Sequence, residues 1–148
     1  MLLVHMGGPF WSHRDAGAWS IPKGEHEHSE DSLAAARREF EEETGIAAPP
    51  GEPIDLGAAR QAAGKLVHAW AIEADIDVTA ITSNTFELEW PKGSGVVREF
   101  PEVDRAQWFD LQSAREKIVK GQVPLLQALQ ALHARAGEGG PGAGPASR

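Results

Sequence analysis

The sequence predicts an α+β domain in which helices and strands follow one another irregularly. Strands are indicated by the apolar start at 2–4 and by the segment 66–76, which is rich in strand-forming residues and partly alternates. Helices are indicated by the capped segment 30–44 and by two apolar segments near the C-terminus. Because these elements lack the regular alternation of a doubly wound sheet, we expect an α+β or sandwich architecture.

The first elements are a buried strand and a turn-rich connection. Residues 2–4 predict the strand, and the glycine and proline residues at 7–9 end it. The connection at 10–24 contains a short extended piece between Trp19 and Ile21. Because Ile21 precedes a proline, its backbone is restricted to β or polyproline geometry.

The helix predicted over about 30–44 has signals at both ends. Ser29 is the expected N-cap, and Glu30 and Asp31 place negative charge in the first turn, where the helix dipole favours it. Gly45 is the expected C-cap, since glycine readily adopts the left-handed conformation that ends many helices.

The rest of the chain predicts further strands, two helices and a tail. Strands are assigned to 66–76 and to the second part of 82–90, and a last short strand or turn to 106–111. Residues 91–104 are predicted to be a breaker-rich connection around a short VVREF piece, and helices are assigned to 111–121 and 124–136. The Gly- and Pro-rich end, 136–148, is predicted to be disordered. We therefore expect a single domain over 1–135.

The composition is that of an ordinary globular domain and excludes several kinds of site. Hydrophobic residues make up 41% and charged residues 24% of the 148 residues. A net charge of -8 argues against binding to a nucleic-acid backbone. Since the chain contains no cysteine, disulfides and thiolate metal sites are excluded, and any metal must be held by oxygen or histidine.

Nothing in the sequence predicts a membrane or secreted protein. No apolar run approaches the roughly eighteen residues that a membrane span requires. The start, MLLVHMGG, lacks the charged region and long apolar segment of a signal peptide. The absence of cysteine fits a reducing compartment, so we expect a cytoplasmic protein.

The stretch RREFEEETG, at 37–45, concentrates negative charge on the predicted helix. At about 100° per residue, Glu39, Glu42 and Glu43 share one face, whereas Glu41 points towards solvent. Like charges at this spacing repel one another, and a cluster of carboxylates suits a hard divalent cation such as Mg²⁺ or Mn²⁺. The alternative is a solvated acidic face.

The core-facing side of the same helix is predicted from its apolar positions. Leu33, Ala36 and Phe40 recur at the spacing of a single helical stripe, so we expect them to pack on the core. Arg38 lies just off the carboxylate face, where it can neutralise or orient one of the glutamates.

The wider spacing around this helix matches a known signature. Its defined positions are Gly24, Glu30, Arg38, Glu39, Phe40, Glu42, Glu43, Gly45 and Ile46. This pattern resembles, at every defined position, the Nudix box, which is the signature of the Nudix hydrolases. The flanking segments are compatible with a Nudix domain over about 1–135.

The resemblance implies a fold, a reaction and a set of site residues. The implied fold is an α/β/α sandwich around a mixed sheet. The implied reaction is hydrolysis of a nucleoside diphosphate linked to a further group, by attack of water on phosphorus, with Mg²⁺ or Mn²⁺ as the cofactor. The implied metal ligands are Glu39, Glu42, Glu43 and the carbonyl of Gly24, and the implied supporting pair is Glu30 and Arg38.

The resemblance leaves the general base open. In some Nudix enzymes the base is a glutamate of the box, which here favours Glu42 or Glu39. In others it is a carboxylate on a later loop, for which the candidates are Glu87, Glu89, Glu99 and Glu102. For each of these four the alternative is an ordinary surface glutamate.

The residues before the box bear on the substrate. The run WSIPKG resembles the lead-in of Nudix enzymes that act on dinucleoside polyphosphates and inositol pyrophosphates. We expect Trp19 and Lys23 to contact the substrate, with Lys23 reaching a phosphate; the alternative is a lysine in solvent. The net charge of -8 argues against inositol pyrophosphates. We therefore expect a dinucleoside polyphosphate, such as diadenosine tetraphosphate, or a nucleoside triphosphate.

The sequence does not identify the side chain that would stack on a nucleobase. Diadenosine-polyphosphate members of the family often have a tyrosine shortly after the box, whereas this chain has no tyrosine. The aromatic candidates are Trp11, Trp70, Trp90, Phe86 and Phe100, with Trp108 expected in the core. The histidines His5, His13, His26, His28 and His68 are weaker candidates, because a lone histidine is usually structural or exposed.

Two further expectations concern function class and assembly. The alternative to an enzyme is a non-catalytic Nudix-like nucleotide sensor, but such modules often lose box glutamates and this chain keeps them all. Nudix domains usually have a strand before the one at 2–4, so either an edge strand is missing or the chain begins later than the natural protein. A missing strand would expose a sheet edge, and we therefore expect a homodimer or a tendency to aggregate.

Overall fold

The computed structural model describes residues 1–23, 31–60 and 64–138, with side chains to residue 135. Gly24, Ser29 and Glu30 lie outside the described ranges, as do the residues of the predicted tail beyond 138.

The elements confirm the predicted α+β class. The strands are β1 (Leu2–Met6), β2 (Trp19–Ser20), β3 (Ile54–Arg60), β4 (Leu66–Ala71), β5 (Thr85–Glu89), β6 (Val97–Pro101) and β7 (Val103–Trp108). The helices are α1 (Ser32–Thr44), α2 (Leu111–Lys117) and α3 (Val123–Glu138), with short 3₁₀ turns at Val78–Ala80 and Lys120–Gln122. None of the described helices is long and apolar enough to cross a membrane.

Strand β3 has no counterpart among the predicted elements. Most of its residues are exposed, so it lacks the alternation of a half-buried strand, and its register with β4 shifts between Asp55 and Gly57. Strand β4 ends at Ala71, five residues before the predicted boundary at 76. Tertiary pairing rather than local propensity therefore sets the extent of this hairpin.

The described strands form three antiparallel sheets instead of one mixed sheet. Their orders are β2-β1-β7, β3-β4 and β5-β6. The parallel pairing in the described part of the chain is a single bridge between Trp19 and Ile118. Strand β1 is paired on both sides, with β2 and with β7. The exposed sheet edge that a missing strand would leave is therefore not at β1. The homodimer stays a prediction.

The core lies where α2 and α3 pack on the first sheet. Its buried members are Met1, Leu3, Ala18, Trp19, Phe109, Ala114, Ile118 and Leu126. A second buried cluster joins Leu125 of α3 to Ala59 and Ala69 of the β3-β4 hairpin. Because Leu125 and Leu126 are consecutive, α3 connects the two sheets through neighbouring side chains.

Helix α1 begins later than predicted. Its N-cap is Asp31, whose carboxylate accepts a hydrogen bond from the Ala34 N–H at 3.1 Å, so the prediction of Ser29 as the cap is wrong. Aspartate and serine cap helices about equally well, and the sequence offered both. The predicted end is confirmed, because Gly45 adopts φ 69° and donates its N–H to the Glu41 carbonyl at 2.8 Å.

The buried side of α1 also differs from the prediction. Ala35 and Glu39 are buried, whereas the predicted stripe of Leu33, Ala36 and Phe40 is half-buried and lines a cavity. The helix is therefore rotated, relative to the expectation, so that one of its acidic residues faces inwards. Glu41 is exposed, as predicted.

The end of α1 is fastened to the segment before β5. The Thr82 N–H donates to the Thr44 carbonyl at 2.8 Å, and the Asn84 N–H donates to the Glu42 carbonyl at 3.2 Å. This approach is so close that a Cβ atom at position 45 would lie 2.6 Å from the Thr82 carbonyl oxygen. Gly45 is thus required both for its left-handed conformation and for its lack of a side chain.

We predict that Gly45→Ala destabilises the protein more than Gly17→Ala. Both glycines have φ 69°, but a Cβ atom at Gly17 would meet no atom within 4 Å. Gly17→Ala therefore measures the backbone cost alone, about 1–2 kcal/mol, and Gly45→Ala adds a steric cost of about 1–3 kcal/mol. Chemical denaturation of both variants tests this, and equal losses would show that the segment at Thr82 moves away freely.

Candidate active site

Arg38 pairs with two of the three glutamates on the acidic face of α1. Its guanidinium donates to Glu39 Oε1 at 2.9 Å and to both carboxylate oxygens of Glu42, at 3.3 and 3.2 Å. Glu39 is only 9% exposed, while Glu42 is exposed. Within the described ranges, Arg38 therefore serves as a counter-charge to the box glutamates, and the predicted pairing with Glu30 stays a prediction.

Glu43 lies on the other side of the acidic face. Its Oε2 accepts the backbone N–H of Lys23 at 3.1 Å. Burial raises the pKa of Glu43 to about 7, against the opposing effects of this hydrogen bond and of the Lys23 charge. Burial likewise raises the pKa of Glu39, against the Arg38 charge. Two box carboxyls thus occupy surroundings that disfavour their ionised forms.

Glu102 joins these two glutamates from a distant part of the chain. Its N–H donates to the Asn84 carbonyl at 2.8 Å, and its carbonyl accepts the Gly7 N–H at 2.9 Å. Its negative charge adds to the elevated pKa of both Glu39 and Glu43. We call Glu39, Glu42, Glu43 and Glu102 the acidic site.

The other three late glutamates lie along the β5-β6 hairpin. Glu87 and Glu99 are opposite each other in its register. Glu99 accepts a hydrogen bond from the Thr85 hydroxyl, and Glu89 accepts one from the Gly93 N–H. The structure therefore brings one of the four late candidates, Glu102, to the box glutamates.

The acidic site has the type of side chain that binds hard cations, but these side chains do not converge on one point. In the described parts of the chain, no group of three or more His, Asp or Glu side chains converges closely enough to hold a metal ion. The reason is that Arg38 draws Glu39 and Glu42 to itself, while Glu43 turns to the Lys23 N–H. The donor set still fits, because it consists of carboxylates whose ionised forms a divalent cation would favour.

The two predicted substrate contacts occupy different surroundings. Trp19 is 2% exposed and packs in the core, edge-on to Phe109 and His5, and its indole N–H donates to Asp15 at 3.0 Å. The structure thus gives Trp19 a packing role in place of the predicted contact. Lys23 is half-buried beside Glu43 and lines a cavity next to α1, so it is the member of the pair that lies near the acidic site.

His5 has a structural environment, as expected for most lone histidines. It is fully buried, with Nδ1 at 2.9 Å from Asp104 Oδ1 and Nε2 at 2.7 Å from the Arg14 carbonyl. These contacts connect β1, β7 and the loop that leads to β2. Sequence reasoning missed the contact to Asp104 because it joins positions 99 residues apart.

Comparison with known proteins identifies the family. A family model described as NUDIX domain matches residues 1–129. The chain belongs to the Nudix family. Its members are pyrophosphohydrolases that act on phosphoanhydride bonds, and this Nudix protein is an enzyme of that class.

One solved structure is similar to this Nudix domain. It is described as the solution structure of the E. coli ORF135 protein, with a TM-score of 0.55 and 26% sequence identity. The similarity covers 90% of this chain and 81% of that chain. No curated protein matches.

We predict that Glu43→Gln stabilises the metal-free protein in a pH-dependent way. In the unfolded chain the carboxyl ionises near pH 4.5, whereas in the folded protein it ionises near pH 7. The free energy of unfolding of the wild-type protein therefore falls as pH rises through this window. The cost of holding the ionised Glu43 carboxylate in a buried position is fully present above pH 7. Glutamine lacks this penalty while its amide oxygen can still accept the Lys23 N–H.

The measurement is chemical denaturation with EDTA between pH 5 and pH 8. The advantage of Glu43→Gln should be greatest at pH 8 and shrink as pH falls towards 5. Glu41→Gln is the matched control, because Glu41 is on the same helix but exposed, and its effect should not vary in this way. An advantage of constant size would mean that Glu43 ionises normally.

Proposed function

We propose that this enzyme is a divalent-metal-dependent pyrophosphohydrolase whose substrate is a dinucleoside polyphosphate, such as diadenosine tetraphosphate, or a nucleoside triphosphate. Water attacks a phosphorus of the phosphoanhydride chain, and the bond to the bridging oxygen breaks. A cytoplasmic location is part of the proposal, since a chain without cysteine suits a reducing compartment.

The observation that supports metal dependence is the burial of acidic groups beside one another. Glu39 and Glu43 are held where burial and the charge of Glu102 disfavour ionisation. Arrangements of this kind are costly for folding, and in enzymes they are typical of functional sites. Buried carboxylates that share a site are natural ligands for a cation, whose charge would favour their ionised forms.

The residues of the acidic site have distinct proposed roles. Glu39, Glu42 and Glu43 would hold Mg²⁺ or Mn²⁺, together with the Gly24 carbonyl that the box implies. When bound, such a cation neutralises phosphate oxygens and lowers the pKa of the attacking water. Arg38 keeps Glu39 and Glu42 on a common side of α1 through its paired hydrogen bonds.

Glu102 is proposed as the additional carboxylate of the reaction. It is exposed, so it can approach a water molecule in the site, and its backbone is fixed on both sides by hydrogen bonds to Asn84 and Gly7. A carboxylate in this position can accept the proton of the attacking water or orient that water. Glu42, which is also exposed, is the alternative base within the box.

We predict that Glu42→Gln and Glu43→Gln each lower kcat/KM by about a hundredfold or more, because each removes a charged ligand or base. Glu41→Gln, on the exposed side of the same helix, should retain full activity. Nucleotide products are separated and quantified by chromatography after incubation of nucleoside triphosphates or diadenosine tetraphosphate with Mg²⁺ or Mn²⁺. If the protein binds these nucleotides but hydrolyses none of them, the result would favour the non-catalytic sensor instead.

We predict that Glu102→Gln lowers kcat by about tenfold to a hundredfold with little change in KM, since its role is in the chemical step. Glu99→Gln is the matched control, because Glu99 lies only three positions away but bonds to Thr85. Steady-state kinetics on the best substrate of the panel measures both. If both variants keep wild-type kcat, the base lies within the box.

A further inference from the structure

A cavity of about 430 Å³ lies between α1, β4 and α3. Its size is within the range of small-molecule sites, which begins at about 300 Å³. Its walls are mostly apolar and include Leu33 and Phe40 of α1, Leu129 of α3 and Trp108 of β7. Sequence reasoning placed Trp108 in the core, whereas the structure leaves it half-buried on the cavity wall.

One wall of the cavity contains a preformed pair of stacked rings. His68 and Trp70 are two positions apart on β4 and therefore project from the same face. Their ring centroids are 4.9 Å apart with an interplanar angle of 16°. The sequence analysis names both residues among several candidates, and their positions two apart on one strand are the signal that could have paired them.

Hydrogen bonds fix the polar end of each ring. His68 Nε2 lies 2.6 Å from Asp55 Oδ1, and the Trp70 indole N–H donates to the Ser32 hydroxyl at 3.1 Å. Ser32 is the first residue of α1, so this bond ties the ring pair to the helix that contains the box glutamates. Rings held in this way lose little conformational entropy when a ligand stacks on them.

The cavity adjoins the acidic site through shared residues. Glu39 and Lys23 both line the cavity. Glu39 is a member of the acidic site, and Lys23 interacts with another member, Glu43, through its backbone N–H and its charge. Arg37 adds a second positive group to the lining. A single molecule can therefore place an anionic chain at the acidic site and an uncharged ring in the cavity.

We propose that this cavity receives the nucleobase of the substrate, which stacks on the His68–Trp70 pair and is recognised by shape rather than by hydrogen bonds. The inference rests on the proposed function, since it assigns the cavity to the same substrate. Aromatic stacking accepts every base, because each base has a π face.

Three of the ring nitrogens that the cavity's aromatic wall presents have partners within the protein, which supports recognition by shape. The other polar lining residues are Lys23, Ser32, Arg37, Glu39, Glu73 and His133. The indole N–H of Trp70 is bonded to Ser32, and that of Trp108 donates to the Ile76 carbonyl at 3.1 Å. His68 Nε2 is bonded to Asp55. A site that reads a base edge rejects analogues that lack a polar group by about 10⁴-fold or more, whereas an apolar site discriminates by about 100-fold or less. We expect the second behaviour.

The first experiment uses free nucleosides, which need neither metal nor catalysis. Adenosine, guanosine and inosine should each bind the full chain, with dissociation constants within about tenfold of one another. Trp70→Ala should weaken their binding by about tenfold or more, as expected for loss of a stacking partner. Trp70→Phe keeps a ring and should retain affinity, and His68→Ala gives a second test should Trp70→Ala fail to fold. NMR titration measures the affinities.

Trp90→Ala is the matched control for loss of a tryptophan. Trp90 packs edge-on against Phe10, with ring centroids 5.2 Å apart, and is not among the cavity lining. Nucleoside affinity should be unchanged in this variant. If Trp90→Ala weakens nucleoside binding as much as Trp70→Ala, or if neither variant weakens it, the assignment of the cavity is wrong.

The second experiment separates this inference from the proposed function. On a cleaved nucleotide, Trp70→Ala should raise KM by about tenfold or more with little change in kcat. Nucleoside binding that depends on Trp70 in a protein without hydrolase activity would support the subsite and refute the function. Hydrolysis with an unchanged KM in Trp70→Ala would refute the subsite alone. A Trp70-dependent change in oligomeric mass, with nucleoside binding intact, would instead assign the cavity to a second copy of the chain.

Discussion

The carboxyl groups on the inward side of α1 are costly to bury, and this cost is the constraint on which much of the structure depends. A helix of this kind would ordinarily turn its apolar stripe to the core and its glutamates to water. Here Glu39 is buried, and burial raises the pKa of both Glu39 and Glu43. The fold offsets part of this cost with the Arg38 guanidinium and the Lys23 N–H. Both compensating groups are local in sequence to the box or its lead-in.

The remaining parts of the site are supplied by contacts between distant segments. The segment at 82–84 bonds to the end of α1, and Asn84 in turn accepts the N–H of Glu102. Gly7 completes the connection, because a Cβ atom there would lie only 2.0 Å from the Pro101 carbonyl oxygen. Two glycines, Gly7 and Gly45, thus permit the close backbone approaches that bring Glu102 to the box helix.

The parts of this arrangement that the sequence predicts are those encoded locally. The box pattern, the end of α1 at Gly45 and the exposure of Glu41 all depend on spacing within one helix. The N-cap was missed because Asp31 and Ser29 are equivalent by propensity, and only the packed structure selects Asp31. The rotation that buries Glu39 could not be predicted, since it depends on which surfaces are available for α1 to pack against.

Long-range features could not be predicted for the same reason. Glu102 lies between β6 and β7, whereas Glu87, Glu89 and Glu99 lie within the strands of the β5-β6 hairpin. The backbone contacts that bring Glu102 to α1 join distant segments, so no local pattern indicates them. Trp19 is part of a lead-in that resembles substrate-binding relatives, yet its indole fills the core against Phe109. A motif predicts the chemistry of a site from its spacing, while the neighbours of each ring depend on the whole fold.

Arg38 determines how the negative charge of the acidic site is balanced in the absence of a cation. Its guanidinium is permanently charged and already satisfies Glu39 and Glu42 in the absence of a cation. A cation that takes those carboxylates must compete with Arg38, so its affinity reflects the difference between the two interactions rather than the full attraction of the glutamates. Glu43 has the Lys23 N–H and the Lys23 charge in place of a guanidinium. The acidic face can therefore stay folded without a cation, and burial rather than a bound counter-charge sets the ionisation of Glu43.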